Sequence, residues 1–252
     1  MSRNIAIIPA RLGSSRYPNK PLARLCGRTM IEHVYRRARM CELLDAVCIA
    51  TCDQAIAEEA RRFGATAIMT ASTHERASDR VAEAADSLDA DIVVLLQGDE
   101  PMIQPDMITA ALRPMLEDSG ISCVNLTAPI RTEEEFEDRN TIKVTLAANG
   151  DALYFSREPI PTRQRLQWGS FAAWKQVCII PFRHDCLRRY AQLPPTPLEI
   201  TESIDMLRLL EHGIPVRMVP TEAESYAVDT PADHQRVEAL MARDPWLARY
   251  TD

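Results

Sequence analysis

The run Ile92-Val93-Val94-Leu95-Leu96 is apolar at every position, and this constrains the fold more than any other stretch of the chain. A strand with one face in water alternates apolar and polar side chains, whereas one that is apolar on both faces needs a cover on each. In practice that means a parallel sheet between layers of helix. The segments before it agree. Residues 4–9 read as a strand, and residues 29–41 as a helix in which Thr29 and Glu32 have capping-box spacing. Residues 45–51 read as a strand, 53–64 as a helix capped by Asp53 and stopped at Gly64, and 65–69 as a further strand. The order is βαβαβ, the signature of a mostly parallel α/β sheet. With 46% apolar residues in 252, one large core can form, so a single domain over 1–252 is expected, with a small lobe at about 140–195.

That lobe is announced by a change of pattern. Residues 141–147 and 151–156 flank Asn149-Gly150, which predicts a hairpin closed by a type I′ turn. Residues 197–212 carry one helical apolar period that stops at Gly213. Thr230-Pro231 reads as an N-cap followed by proline at the first helical position, which places Asp229 just ahead of the last long helix.

Several function classes are excluded early. A net charge of −7 gives no global positive field to hold nucleic acid. The run at 92–96 is far short of a membrane span, and the N-terminal residues lack the apolar core of a signal peptide, so a cytoplasmic protein is expected. Seven cysteines, with no Cys-x-x-Cys among them, suggest reduced thiols rather than a disulfide framework or a zinc site. The five histidines show no pairing or ligand spacing.

The chemistry concentrates at strand ends. Residues 9–22 follow the first strand and carry Arg11, Arg16 and Lys20 around a single glycine, Gly13. The loop fits neither G-x-x-x-x-G-K-[ST] nor G-x-G-x-x-G, so cations rather than a glycine cradle would have to meet a phosphate chain. A solvated basic loop is the other reading. Asp99 ends the buried run in Gln97-Gly98-Asp99-Glu100-Pro101, and Asp229 lies in Val228-Asp229-Thr230-Pro231. Two carboxylates from separate loops can share a hard cation. Each has a structural alternative, Asp99 as a turn residue and Asp229 as a helix cap.

Five motifs in order, Ile8-Pro9-Ala10-Arg11, Lys20-Pro21-Leu22, Gln97-Gly98-Asp99-Glu100-Pro101, Ala152-Leu153-Tyr154-Phe155-Ser156-Arg157 and Val228-Asp229-Thr230-Pro231, are similar to those of the CMP-Kdo synthetase family, the 3-deoxy-manno-octulosonate cytidylyltransferases. The resemblance implies a Rossmann-like nucleotidyltransferase fold and usually a homodimer. It implies transfer of CMP from CTP to a small acidic acceptor with release of pyrophosphate. It also implies Arg11 and Lys20 on the triphosphate, Gln97 near the nucleotide, and Mg²⁺ on Asp99 and Asp229. The loop residues Ala10, Gly13 and Ser14, with Arg76 and Arg80, complete the candidate CTP site, and Arg157, Gln176, Glu202 and Asp205 form the candidate acceptor site.

The chain departs from the family pattern in two places. Arg76-Ala77 stands where the family has Ser-Gly, which adds a cation. Around the acceptor, Gln176-Val177-Cys178-Ile179-Ile180 and Asp205-Met206 replace segments that carry His, Tyr and Gln in the family. Apolar side chains at Ile180 and Met206 fit poorly with a polyhydroxylated acceptor. Two acceptors therefore stay open, a Kdo-like 2-keto sugar acid and a phosphonate. A reading of another class is a nucleotide-binding module without turnover. A dinucleotide oxidoreductase is disfavoured by the missing glycine fingerprint.

Overall fold

The computed structural model describes residues 2–13, 17–165 and 167–250. Strand β1 (Asn4–Ala10) leads through a 3-10 turn (Lys20–Leu22) and a short ribbon, β2 (Arg24–Leu25) and β3 (Arg28–Thr29), into α1 (Met30–Ala38). Then follow β4 (Ala46–Thr51), α2 (Gln54–Arg62), β5 (Thr66–Met69), α3 (Ala77–Ala85), β6 (Ile92–Leu96) and α4 (Pro105–Glu117). The middle of the chain forms β7 (Val124–Pro129), α5 (Glu133–Glu137), β8 (Lys143–Leu146), β9 (Ala152–Ser156), β10 (Trp174–Val177) and β11 (Ile179–Arg183). It continues through α6 (His184–Gln192), α7 (Pro197–Glu202), α8 (Met206–Glu211), β12 (Arg217–Pro220) and α9 (Pro231–Met241). Two compact units result, Met1–Thr109 with Ser225–Asp252, and Ala110–Glu224. The lobe expected at 140–195 lies inside the second. Among the described residues no helix is long and apolar enough to cross a membrane.

In the first unit the strands run in the order β6-β1-β4-β5, all parallel, with Ile5 paired to Val93 on one side and to Ala46 on the other. Every residue of β6 is buried, as its unbroken apolar run requires. Successive strands step outward from β1 to β4 to β5, and β6 then returns to the other side of β1. The order therefore reverses between β1 and β6, and the carboxyl ends of these two strands form the crevice in which such sheets bind ligands. Residues 11–13 leave β1 at this edge, and residues 97–101 leave β6.

Two helix starts differ from expectation. Thr29 is the N-cap of α1 but makes no side-chain cap bond. Its hydroxyl donates to Glu59 at 2.9 Å, while the buried Glu32 is held by Arg28, Arg36 and Arg62, so the capping box does not form. Burial alone would raise the Glu32 carboxyl, and the arginines outweigh it and hold the group below its ordinary value. Asp53 stands at the N-cap of α2, yet its carboxylate accepts from the Leu12 amide, at 2.8 Å.

The second unit holds a mixed sheet in the order β12-β7-β10-β8-β9, with β12 parallel to β7 and the other pairs antiparallel. The β8–β9 hairpin is present as predicted, but its turn is not type I′. Gly150 has φ of 87° while Asn149 is not among the positive-φ residues, and a type I′ turn needs two. The Gly150 amide instead reaches back to Ala147 O at 2.9 Å.

The single helix expected at 197–212 is two helices, broken at Ser203, which takes φ of 55°. In a continuous helix the carbonyls of Glu202 and Ser203 would accept from the amides four residues on. Here Arg157 donates to both, Nε to Glu202 O at 2.7 Å and a terminal nitrogen to Ser203 O at 3.2 Å. The two short helices are joined by the buried pair of Arg208 and Glu199.

Candidate active site

Beyond β1 the loop is built to carry Lys20. The Leu12 amide is tied to Asp53, and the Leu12 carbonyl accepts from Asn19 N at 3.4 Å. Asn19 has φ of 56°, a left-handed conformation that asparagine tolerates better than most residues. The turn it opens is closed by Leu22 N to Asn19 O at 2.9 Å and Ala23 N to Lys20 O at 3.1 Å, with Pro21 buried beneath. Lys20 is thus presented from a short rigid turn.

Its ammonium lies between the two carboxylates singled out in the sequence. Lys20 Nζ donates to Asp99 Oδ2 at 2.6 Å and to Asp229 Oδ1 at 3.0 Å, and the three side chains are 13%, 26% and 22% exposed. Burial alone would lower the Lys20 pKa, and Asp99 and then Asp229 reverse that and raise it. The turn and cap readings of the two acids can now be weighed. Asp99 does sit in a turn, but its carboxylate meets Lys20. Asp229 is not the helix cap, because Thr230 is, in a capping box with Asp233 and with Pro231 at the first position of α9. Asp229 is seated by α9, whose Val237 and Met241 pack with Val228, Leu25 and Met30. Its neighbour Val228 donates its amide to Asp99 O at 2.9 Å.

Two carboxylates around one ammonium leave a net negative charge at a sheet crevice. Among the described residues no group of three or more His, Cys, Asp or Glu side chains is placed to hold a metal. The oxygen pair of Asp99 and Asp229 nevertheless fits a hard cation that completes its coordination with water and substrate oxygens.

Other predicted nucleotide residues are placed as follows. Ala10 is buried at the end of β1, Arg11 and Gly13 are exposed, and Gln97 is half-buried directly after β6. Ser14 and Arg16 lie outside the described residues. Arg76 stands at the N-cap of α3. Arg80 is turned inward, 2% exposed, and its guanidinium holds Thr70 Oγ1, Ala71 O and His74 O. It serves as a strut for residues 70–76.

In the second unit the acceptor candidates are engaged with one another. Glu202 accepts from Ser156 Oγ at 2.9 Å, Tyr154 Oη at 3.2 Å and the Arg157 amide at 2.8 Å. Burial would raise the Glu202 carboxyl, and these hydrogen bonds and the Arg157 charge hold it below its ordinary value. Arg157 donates to the carbonyls of Glu202, Ser203 and Arg139. Gln176 bonds the buried Asn125 at 2.5 Å, and Asp205 opens α8. Ile180 and Met206, expected to shape the acceptor pocket, are 4% and 0% exposed. Both are buried and present almost no surface on which an acceptor could rest.

Residues 5–219 match the sequence profile of a family described as Cytidylyltransferase. The chain belongs to the cytidylyltransferase family. Within it, the 3-deoxy-manno-octulosonate cytidylyltransferase of Geobacter metallireducens is 42% identical over 248 residues, covering 94% of this chain and 97% of the relative. The enzyme of the same name from an Anaeromyxobacter species is 45% identical over 249 residues, covering 97% and 99%. A solved CMP:2-keto-3-deoxy-manno-octonic acid synthetase, complexed with CTP, superimposes with a TM-score of 0.89 at 40% identity, over 96% of this chain and 99% of that one. The likeness carried by five motifs thus extends along nearly the whole cytidylyltransferase chain.

Sequence reasoning missed two residues that shape this site. The sequence shows Asp53 only as a helix cap, and its position two residues past the end of β4, at the same sheet edge as Asp99, is the available signal. Asn19 gave no signal, because its left-handed backbone is set by bonds within the loop.

Proposed function

We propose that this cytidylyltransferase transfers CMP from CTP to 3-deoxy-manno-octulosonate and releases pyrophosphate, with Mg²⁺ held by Asp99 and Asp229. The observation that carries the reading is the meeting of Lys20, Asp99 and Asp229 at the crevice between β1 and β6. The acceptor follows from the relatives at 42% and 45% identity that bear its name. In the reaction an acceptor hydroxyl gives up its proton to solvent and its oxygen bonds to the α-phosphorus, while the bond from that phosphorus to the bridging oxygen breaks and pyrophosphate leaves. Such a displacement needs positioning and charge neutralisation more than covalent catalysis. Lys20 and Arg11 neutralise charge on the phosphate oxygens. Asp99 and Asp229 would hold the cation once Lys20 turns to the phosphates. Bound there, Mg²⁺ supplies Lewis acidity, which also makes the acceptor hydroxyl easier to deprotonate without a histidine base. The resemblance further implies a homodimer, and a CTP-consuming enzyme belongs in the cytoplasm; both are parts of this reading.

In the sequence, Ile180, Met206 and Arg76 favour a phosphonate acceptor. With the first two in the interior, that argument keeps only Arg76. A module without turnover would have no need to keep Lys20, Asp99 and Asp229 in contact.

The test is pyrophosphate release from CTP and Mg²⁺, with 3-deoxy-manno-octulosonate and a panel of small phosphonates assayed in parallel. Release with the sugar acid is expected, and Asp99→Asn and Asp229→Asn should each cut it by about 100-fold or more. Release with a phosphonate alone, or with neither, overturns the reading.

A further inference from the structure

Asp99 and Asp229 come from opposite parts of the chain, and in this structure their common counter-ion is Lys20. If Lys20 serves the triphosphate during the reaction, as the proposed function holds, its bonds to the two carboxylates must loosen. Two acids in close range then repel one another unless something else fixes their loops. The structure contains such a fastening. Val228 N donates to Asp99 O at 2.9 Å, and one residue further along the first loop the Glu100 carboxylate accepts from the hydroxyl of Ser225. Glu100 is 7% exposed, and a carboxylate so buried is costly unless it is well bonded. A hydroxyl donating to an ionised carboxylate is among the stronger hydrogen bonds available. This one joins residues 125 apart in sequence, each a few positions from a carboxylate of the site. Ser225 is also the first residue of the chain's return to the first unit.

We infer that Glu100 and Ser225 are positioning residues for the nucleotide site: their hydrogen bond, alongside the Val228–Asp99 bond, fixes the separation of Asp99 and Asp229 independently of Lys20. The inference rests on the proposed reading of those two acids as the cation site.

The test uses the full chain with CTP and no acceptor. Mn²⁺ is titrated as the probe, and its free fraction is followed by electron paramagnetic resonance. Ser225→Ala is expected to weaken Mn²⁺ binding about tenfold, the scale of one lost hydrogen bond to a charged group, and Ser225→Thr to restore it. Glu100→Gln, which keeps an acceptor but removes the charge, is expected to lie between. The Mg²⁺ concentration for half-maximal pyrophosphate release should rise in parallel, while KM for the acceptor stays within about twofold of the parent. A purely structural role would instead lower the unfolding midpoint and weaken CTP, cation and acceptor alike. The inference fails if the parent binds Mn²⁺ with CTP and both Ser225→Ala and Glu100→Gln bind it equally well. It also fails if either variant loses all ligands in proportion to lost folding. If the parent itself binds no Mn²⁺ in the presence of CTP, the cation reading of Asp99 and Asp229 falls, and this inference with it.

Discussion

At Gly98 an added Cβ would come within 3.2 Å of Pro9 O and 3.4 Å of Ile8 Cγ2. The first of these is backbone of a central strand, so Gly98→Ala fits only if strand or loop yields by a few tenths of an ångström. A shift of the 97–101 loop would disturb the contact of Asp99 with Lys20. The expected result is a roughly tenfold or greater loss of kcat/KM, out of proportion to a small drop in unfolding midpoint; equal activity would show that the loop absorbs the methyl. The acids at 99 and 229 and the lysine at 20 were legible in the sequence as candidates. Their contact was not, because it depends on the reversal of strand order at β1 and on α9 seating Asp229. Arg80 shows what a motif leaves out. Its position in a motif suggested the nucleotide, and only the fold shows it bonded to Thr70, Ala71 and His74.

The break between α7 and α8 makes the same point for elements. The apolar pattern at 197–212 runs through the break in the sequence, so periodicity alone predicts one helix, although only α8 turns its apolar residues inward and α7 leaves Leu198 and Ile200 exposed. What interrupts it is Arg157, 45 residues away from Glu202, and no local signal records a guanidinium that takes two helix carbonyls. Two outcomes follow. Ser203→Gly removes the cost of a left-handed serine and is expected to stabilise the protein by about 0.5–1 kcal/mol in urea unfolding. Arg157→Met strips the bonds from the Glu202 and Ser203 carbonyls and is expected to destabilise by about 2 kcal/mol. Amide exchange across 202–207 should report it, and unchanged protection there would remove Arg157 as the cause of the break. The strands and helices with strong periods, β1, β4, β6 and α2, were legible to within a few residues because their patterns are set locally by burial.

For the molecule as a whole, the feature that most governs response to acid is a buried histidine. The Nε2 of His33 bonds Leu25 O at 2.7 Å and its Nδ1 bonds Tyr250 Oη at 2.8 Å. That hydroxyl accepts from Arg37 Nε at 3.0 Å, so its own proton points to Nδ1 and the ring is neutral with its hydrogen on Nε2. Burial first, and the nearby Arg37 charge, push the His33 pKa down to about 4 from an ordinary 6.5. Because the folded value is the lower one, the unfolded chain takes up the proton first. Stability is therefore full above pH 6.5 and is lost as pH falls toward 4. Unfolding free energy should drop by roughly 2 kcal/mol between pH 7 and pH 5, and His33→Gln should flatten that slope. Glu32 and Glu59, held below their ordinary 4.5, add their own losses only at lower pH. The α/β class of the molecule was legible from one apolar strand and its neighbours. The extent of the second unit was not, since its limits are set by the parallel pairing of β12 with β7 across the intervening chain.

The first unit is assembled from Met1–Thr109 and Ser225–Asp252, with the second threaded between them. A growing polypeptide that has left the ribosome only as far as residue 224 already holds Lys20 and Asp99 but lacks Asp229, the Ser225 hydroxyl and the helix that seats them. Competence thus waits for residues 225–241 to emerge, and a product terminated before them carries an incomplete centre.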